Sequence, residues 1–148
     1  MQHIRNLGLA SILLAGSAMA EKKMKLEELP APVQKTVKEE IQKGKMVGLS
    51  KEQEAGKTVY ELETLVDGKS RDLIIDGAGA ILTVEQEVAI DSIPAAAKSS
   101  IEKKTAGGKI TKVETLTKGS EVSYEAAYTT KGGKKTEYAV KADGTPQK

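Results

Sequence analysis

The residues of this chain best placed to do chemistry are carboxylates. Glu61 and Glu63 lie two apart, and Glu125 repeats Glu61 64 residues later. Two carboxyl groups facing each other at about 5 to 10 Å are the equipment of glycoside hydrolysis. A sugar site also wants aromatic platforms, and the chain has no Trp and no Phe. The pattern therefore reads as a solvated strand face balanced by lysines. Asp67, Asp76 and Asp143 are oxygen donors of the kind calcium takes, but they lack the alternate-position spacing and closing Glu of an EF-hand loop. Hairpin turn chemistry accounts for Asp67 and Asp143.

What is missing narrows the reading further. The only His is His3, and there is no Cys. Without either, Ser-His-Asp and Cys-His nucleophilic sites cannot be built. The usual zinc and copper ligand sets are lost as well. No Gly-rich phosphate loop is present. The sequence thus predicts no enzyme, no cofactor and no metal. Lys131, Lys134 and Lys135 make a small basic tip, which suits a soluble turn or edge-strand protection better than an anionic partner. Net charge is only +2, and a nucleic-acid partner needs a clustered basic face.

Four tyrosines supply all the aromatic area: Tyr60, Tyr124, Tyr128 and Tyr138. Facing the helices, they are core. Facing outward, Tyr60, Tyr124 and Tyr128, with Glu61, Glu63 and Glu125, are the candidate interface with a partner protein.

These residues need elements to hold them, and the elements come twice. Leu29-Pro30-Ala31 recurs as Ile93-Pro94-Ala95, Gly44-Lys45 as Gly108-Lys109, Tyr60-Glu61 as Tyr124-Glu125, and Gly68 as Gly132. All share one offset of 64 without a gap, which points to a repeated supersecondary unit. In the first copy Pro30 opens a helix. Val33, Val37 and Ile41 form its apolar stripe, and Gly44 ends it as a C-cap. In the second, Pro94 opens the helix, Ala97 and Ile101 form the stripe, and Gly107-Gly108 stops it. The period then changes from 3.6 to 2. Strands are predicted over 45–54, 58–66, 71–76 and 80–87, then over 109–117, 121–130 and 134–141. Asp67-Gly68 is a hairpin signal. Tyr60, Leu62, Thr64 and Val66 share one strand face, and Glu61 and Glu63 the other. The fold class expected is α+β: a tandem repeat of one helix packed on a three- to four-stranded antiparallel sheet, each with one wet face.

The N-terminal segment has its own signature. A basic start with Arg5, an apolar run from Leu7 to Ala15 and Ala18-Met19-Ala20 make residues 1–20 a signal peptide. The apolar run is too short for a membrane span, which needs about 20 residues, so no stable membrane anchor is expected after cleavage. Residues 21–28 are a charged, frayed lead-in. Residues 29–90 are the first unit, and 91–148 the second, with its last strand short or missing. The location implied is periplasmic or secreted.

The run Leu29-Pro30, Val59-Tyr60-Glu61-Leu62-Glu63, Asp67-Gly68-Lys69 and Leu73-Ile74-Ile75-Asp76, with Gly79 and Ile81-Leu82, resembles the PepSY family. It is most similar to exported PepSY-like proteins with the β-lactamase-inhibitor-like fold. Gly77-Ala78-Gly79-Ala80 departs from the family's acidic-Gly-Lys turn. The resemblance implies a helix on an antiparallel sheet, often in tandem, and a binding or inhibitory role outside the cytoplasm. It transfers no catalytic residue. The function expected is binding, inhibition or regulation of another exported protein or peptide, such as a peptidase. The alternative is an envelope sensor for a small ligand or ion, held in a groove lined by Tyr and Met46. Oligomeric state stays open.

Overall fold

Each helix starts where proline sets the backbone. Pro30 and Pro94 are the capping residues, at φ −56° and −53°, ahead of α1 (Ala31–Glu40) and α2 (Ala95–Lys104). Short 3-10 turns, Leu26–Glu28 and Ile90–Ser92, lead into them. The strands are β1 (Lys22–Lys23), β2 (Lys45–Glu54), β3 (Lys57–Val66), β4 (Lys69–Asp76), β5 (Ile81–Glu87), β6 (Lys109–Lys118), β7 (Glu121–Thr129) and β8 (Lys135–Lys141). The structure, a computed structural model, describes residues 22–147. The signal-peptide reading of residues 1–20 lies outside the described residues. No described helix is long and apolar enough to cross a membrane.

The strands form one eight-stranded antiparallel sheet in chain order, β1 to β8. This corrects the expected tandem repeat of one helix packed on a three- to four-stranded antiparallel sheet. The join is β5 with β6, in register from Thr83↔Lys118 to Glu87↔Glu114. Two separate sheets would leave two more edges of unpaired backbone N–H and C=O groups, and pairing β5 with β6 removes both. The lead-in is not frayed either. Lys22 and Lys23 pair with Lys51 and Ser50, and Met24 and Leu26 pack on the first core.

Both helices lie on one face of this sheet. Val33 and Val37 of α1 are fully buried with Leu29, Leu49, Tyr60, Leu62, Leu73 and Ile75. Ala97 and Ile101 of α2 are buried with Ile93, Val113, Ala126 and Val140. Each large aliphatic so buried contributes about 1.5–3 kcal/mol. Gly44 and Gly108 are not helix stops. A side chain at Gly44 would sit 2.6 Å from the Leu65 carbonyl oxygen, and one at Gly108 2.5 Å from that of Thr129. Both glycines let the chain enter its strand hard against the neighbouring strand.

The offset of 64 holds through β7 and then becomes 65. Two residues, Asp67 and Gly68, turn β3 into β4 between Val66 and Lys69. The equivalent turn after β7 is longer, closing between Thr129 and Lys135. After β8 the chain turns through Gly144 back onto β8, with an isolated bridge from Val140 to Pro146 and the Gln147 amide donating to the Ala139 carbonyl at 2.9 Å.

Candidate functional site

Alternation along each strand sends one set of side chains to the helices and the other to the far face. Tyr60 and Leu62 go to the helix side, so Glu61 and Glu63 go to the far side. The pairing register then decides which far-side groups meet. Glu63 lies opposite Asp72, and Asp72 opposite Glu85. Glu87 lies opposite Glu114, and Glu114 opposite Glu125. Two rows of three carboxyl groups therefore cross the sheet, one over β3–β5 and one over β5–β7. Like charges directly opposite destabilise a sheet, so this arrangement carries a cost that something must offset.

This face was expected to be wet or to meet a partner, and its carboxyl groups are buried within the chain itself. Glu61 is 2% exposed, and Asp72, Glu85, Glu114 and Glu125 are 4–5% exposed. No described layer covers them, so they are buried among the side chains of their own sheet face. Charges on other strands reach this face: Glu54 on β2 feels Lys118 on β6, and Glu85 on β5 feels Glu137 on β8.

The carboxyl groups respond as buried acids must. Burial first, then a hydrogen bond with Glu52 and the charges of Glu52, Glu63 and Asp72, push Glu61 up to about 9. Burial, reinforced by Glu114 and Asp72, pushes Glu85 up to about 8. Burial with Glu137, Glu85 and Glu114 raises Glu125 to about 8. Burial lifts Asp72 to about 6, with Lys112 pulling it back. Lys112 is the cation at the centre. Burial alone would lower it, but its bond to Glu114 and the charges of Glu114, Asp72 and Glu85 raise it. Its Nζ lies 2.7 Å from Glu114 Oε1. Ser70 Oγ lies 3.3 Å from the same oxygen, and the Ser70 amide donates to Glu87 Oε2 at 3.0 Å. Ser50, in register with Glu61 on β2, is 2% exposed, and its hydroxyl has no partner.

The candidate interface residues divide across the sheet. Glu61, Glu63 and Glu125 are on the acidic face. Tyr60 and Tyr128, each 7% exposed, are buried on the helix side. Tyr124 and Tyr138 pack half-buried against the second core. The structure thus does not gather the tyrosines and carboxylates into one exposed surface. Asp76 and Asp143 serve their turns. Asp76 Oδ1 accepts from the Ala78 and Ala80 amides, both at 2.9 Å, and Asp143 Oδ1 from the Thr145 amide at 2.9 Å. Sequence reasoning missed Asp72, Glu85, Glu114 and Lys112. Their signal was alternation within β4, β5 and β6, but only register brings them together. A shallow depression of about 550 Å³ lies along the outer side of α1, between Ala31 and Gln42.

No family model matches this sequence, and no curated protein is a significant match to it. The fold does have solved counterparts. A protein from Bacteroides eggerthii with a provisional periplasmic assignment superposes with a TM-score of 0.65 at 13% identity, over 81% of this chain and 86% of the other. A DUF2874 family protein from Bacteroides uniformis gives 0.63 at 15%, over 80% and 86%. A BLIP-like protein from Bacteroides fragilis gives 0.57 at 17%, over 81% and 84%. At such identities the likeness establishes a shared fold, and that fold is BLIP-like.

Proposed function

We propose that this chain is an exported, non-enzymatic, PepSY-like protein that binds and restrains another envelope or secreted protein, a peptidase or similar hydrolase. One observation carries the reading: a single broad sheet has both helices on one face and no described layer on the other. A long, rigid, one-sided sheet is a scaffold for holding a partner at its rim or edges. The BLIP-like relative and the provisional periplasmic assignment of another support the direction. The absence of His and Cys after residue 20 supports a binding role over catalysis.

The buried tyrosines change where such a partner would dock. Large exposed apolar side chains fall at a few places on the strands: Met46 and Val47 beside Leu65 on β2 and β3, Ile81 and Leu82 at the start of β5, and Val122 at the start of β7. The test is crosslinking of the purified protein in the native envelope fraction, followed by assay of any captured hydrolase with and without it. One hydrolase enriched near equimolar and slowed by added protein supports the reading. Capture no better than with an unrelated exported protein, or capture without loss of activity, overturns the inhibitory role.

A further inference from the structure

We infer that the lysine-rich end of the second half, where α2 ends, β6 begins and β7 turns into β8, is a docking surface for an anionic lipid bilayer. The turn alone carries Lys131, Lys134 and Lys135, and a loop tip with that charge suits an ordinary soluble turn. The fold brings more lysines beside it. Lys103 and Lys104 close α2, and Lys109 opens β6. Strand pairing sets Lys109 and Lys135 on either side of Thr129. Gly108 packs against the Thr129 carbonyl, where an added side chain would sit at 2.5 Å, so the junction of α2 and β6 is held to the end of β7. Thr130 closes the turn: its amide donates to the Lys134 carbonyl at 2.8 Å, and its Oγ1 accepts from the Lys134 amide at 3.1 Å. Residues 103–109 and 129–135 together present six exposed lysines and no acid.

Lysines gather on many solvated surfaces, but this molecule supplies its own control. The first half has the same helix end and the same strand turn. At the equivalent positions it carries Glu39, Glu40, Lys45, Asp67, Lys69 and Ser70. A mixture of acids and lysines serves the fold there, so the fold does not require a lysine at every one of these positions in the second half. Nothing within the chain balances them. None of these lysines belongs to an ion pair among the described residues. Lys104 holds its ammonium 5.5 Å from the centre of the Tyr138 ring. The flanking acids are committed elsewhere: Glu102 pairs with Lys98 at 3.7 Å, and Glu137 is half-buried on the acidic face. Gathered like charges repel one another, and an anionic surface relieves that repulsion. Clusters of about 4–8 basic residues suffice for adhesion to anionic head groups. The residue types favour lipid over nucleic acid. Every charge is a lysine ammonium, with no arginine fork for bidentate phosphate recognition, and no tyrosine is exposed to stack on a base. The exposed large apolar side chains lie outside these two segments, so the contact is adsorption without insertion. It does not depend on a hydrolase partner.

Vesicle cosedimentation tests this on the purified chain from Glu21 onward, since the apolar run before it would itself enter lipid. The vesicles are equal parts phosphatidylglycerol and phosphatidylcholine, or phosphatidylcholine alone. Binding to the anionic vesicles is expected at about 0.1 M NaCl, with release at about 1 M, where the screening length falls from about 10 to about 3 Å. Neutral vesicles should bind none. Lys103→Gln, Lys131→Gln and Lys134→Gln together should weaken binding on the order of 100-fold, about fivefold per charge. Lys38→Gln, Lys57→Gln and Lys118→Gln remove the same net charge elsewhere and should weaken it less than about fivefold. Circular dichroism checks that each variant folds. If the first set does not, Lys109→Gln with Lys135→Gln is read the same way, with a loss of about 25-fold expected. Absence of binding, equal binding to neutral vesicles, or binding that survives about 1 M NaCl overturns the inference. So does an equal loss in both sets of variants, which is an effect of net charge alone. Duplex DNA bound as tightly as the anionic vesicles at the same salt also overturns it, since the surface then takes any polyanion.

Discussion

Glu61 shows what burial does to a single carboxyl group. It is 2% exposed and hydrogen-bonded to Glu52. Its folded-state value of about 9 lies far above the ordinary 4.5, so at neutral pH the native protein keeps this proton and the unfolded chain releases it. Stability from a raised acid is full below the unfolded value and is lost as pH rises toward the folded one. Glu61→Gln keeps the shape and removes the titration. It should therefore stabilise the protein at pH 8, by roughly 1–3 kcal/mol, and make little difference at pH 4. Urea unfolding at the two pH values measures this, and equal effects at both would show that Glu61 is not held protonated. Glu40 has the opposite sign. Burial pushes it up, but hydrogen bonds from Lys43 at 2.6 Å and Arg71 at 2.8 Å outweigh burial and hold it low. Arg71→Ala leaves that carboxylate to Lys43 alone and should cost about 1.5–3 kcal/mol by the same unfolding measurement.

At the scale of elements, the two turns that follow β4 and β8 lock the helices to the sheet. Gly79 at φ +84° and Gly144 at φ +83° are both left-handed. A side chain at either would meet a helix carbonyl at 2.6 Å, that of Pro32 or that of Ala96. Thr36 Oγ1 also donates to the Gly79 carbonyl at 2.6 Å. Gly79→Ala and Gly144→Ala should each lower stability by about 1–3 kcal/mol, seen as a lower melting temperature with unchanged fold by circular dichroism. The helices differ in their anchors. α1 buries Val33 and Val37, while α2 buries Ala97 and Ile101. Ile101 is then the one large anchor of α2. Ile101→Ala should cost about 2–5 kcal/mol, and hydrogen exchange should speed up in α2 before it does in α1.

Across the whole molecule, the raised carboxyls act together. Asp72 at about 6, Glu85 and Glu125 at about 8, and Glu61 at about 9 all bind protons more tightly folded than unfolded. The protein should therefore be more stable near pH 5 than near pH 9, with Glu40 setting the loss on the acid side. Thermal unfolding across that range tests the sign, and a melting temperature that rises from pH 5 to pH 9 would refute it. Coupling follows from one sheet carrying both rows of acids, since Glu85 on β5 interacts with groups from both halves of the chain.

Much of this was legible locally. The change of period from 3.6 to 2 placed both helices and seven strands, because each pattern is set by neighbours a few residues apart. Val33, Val37, Ala97 and Ile101 were readable as core from their spacing alone. Alternation correctly separated Tyr60 from Glu61. It said nothing of which strands pair, so nothing linked Glu63 to Asp72 and Glu85. The joining of β5 to β6 and the one-residue lengthening before β8 depend on partners distant in sequence. Burial was the least readable property. A polar strand face is wet or dry according to the side chains its neighbours bring beside it, and register sets those neighbours. The sequence by itself determined the elements and their inward faces. Only the tertiary structure decided that the acids would gather into one buried field, because the strands that pair them lie far apart in the chain.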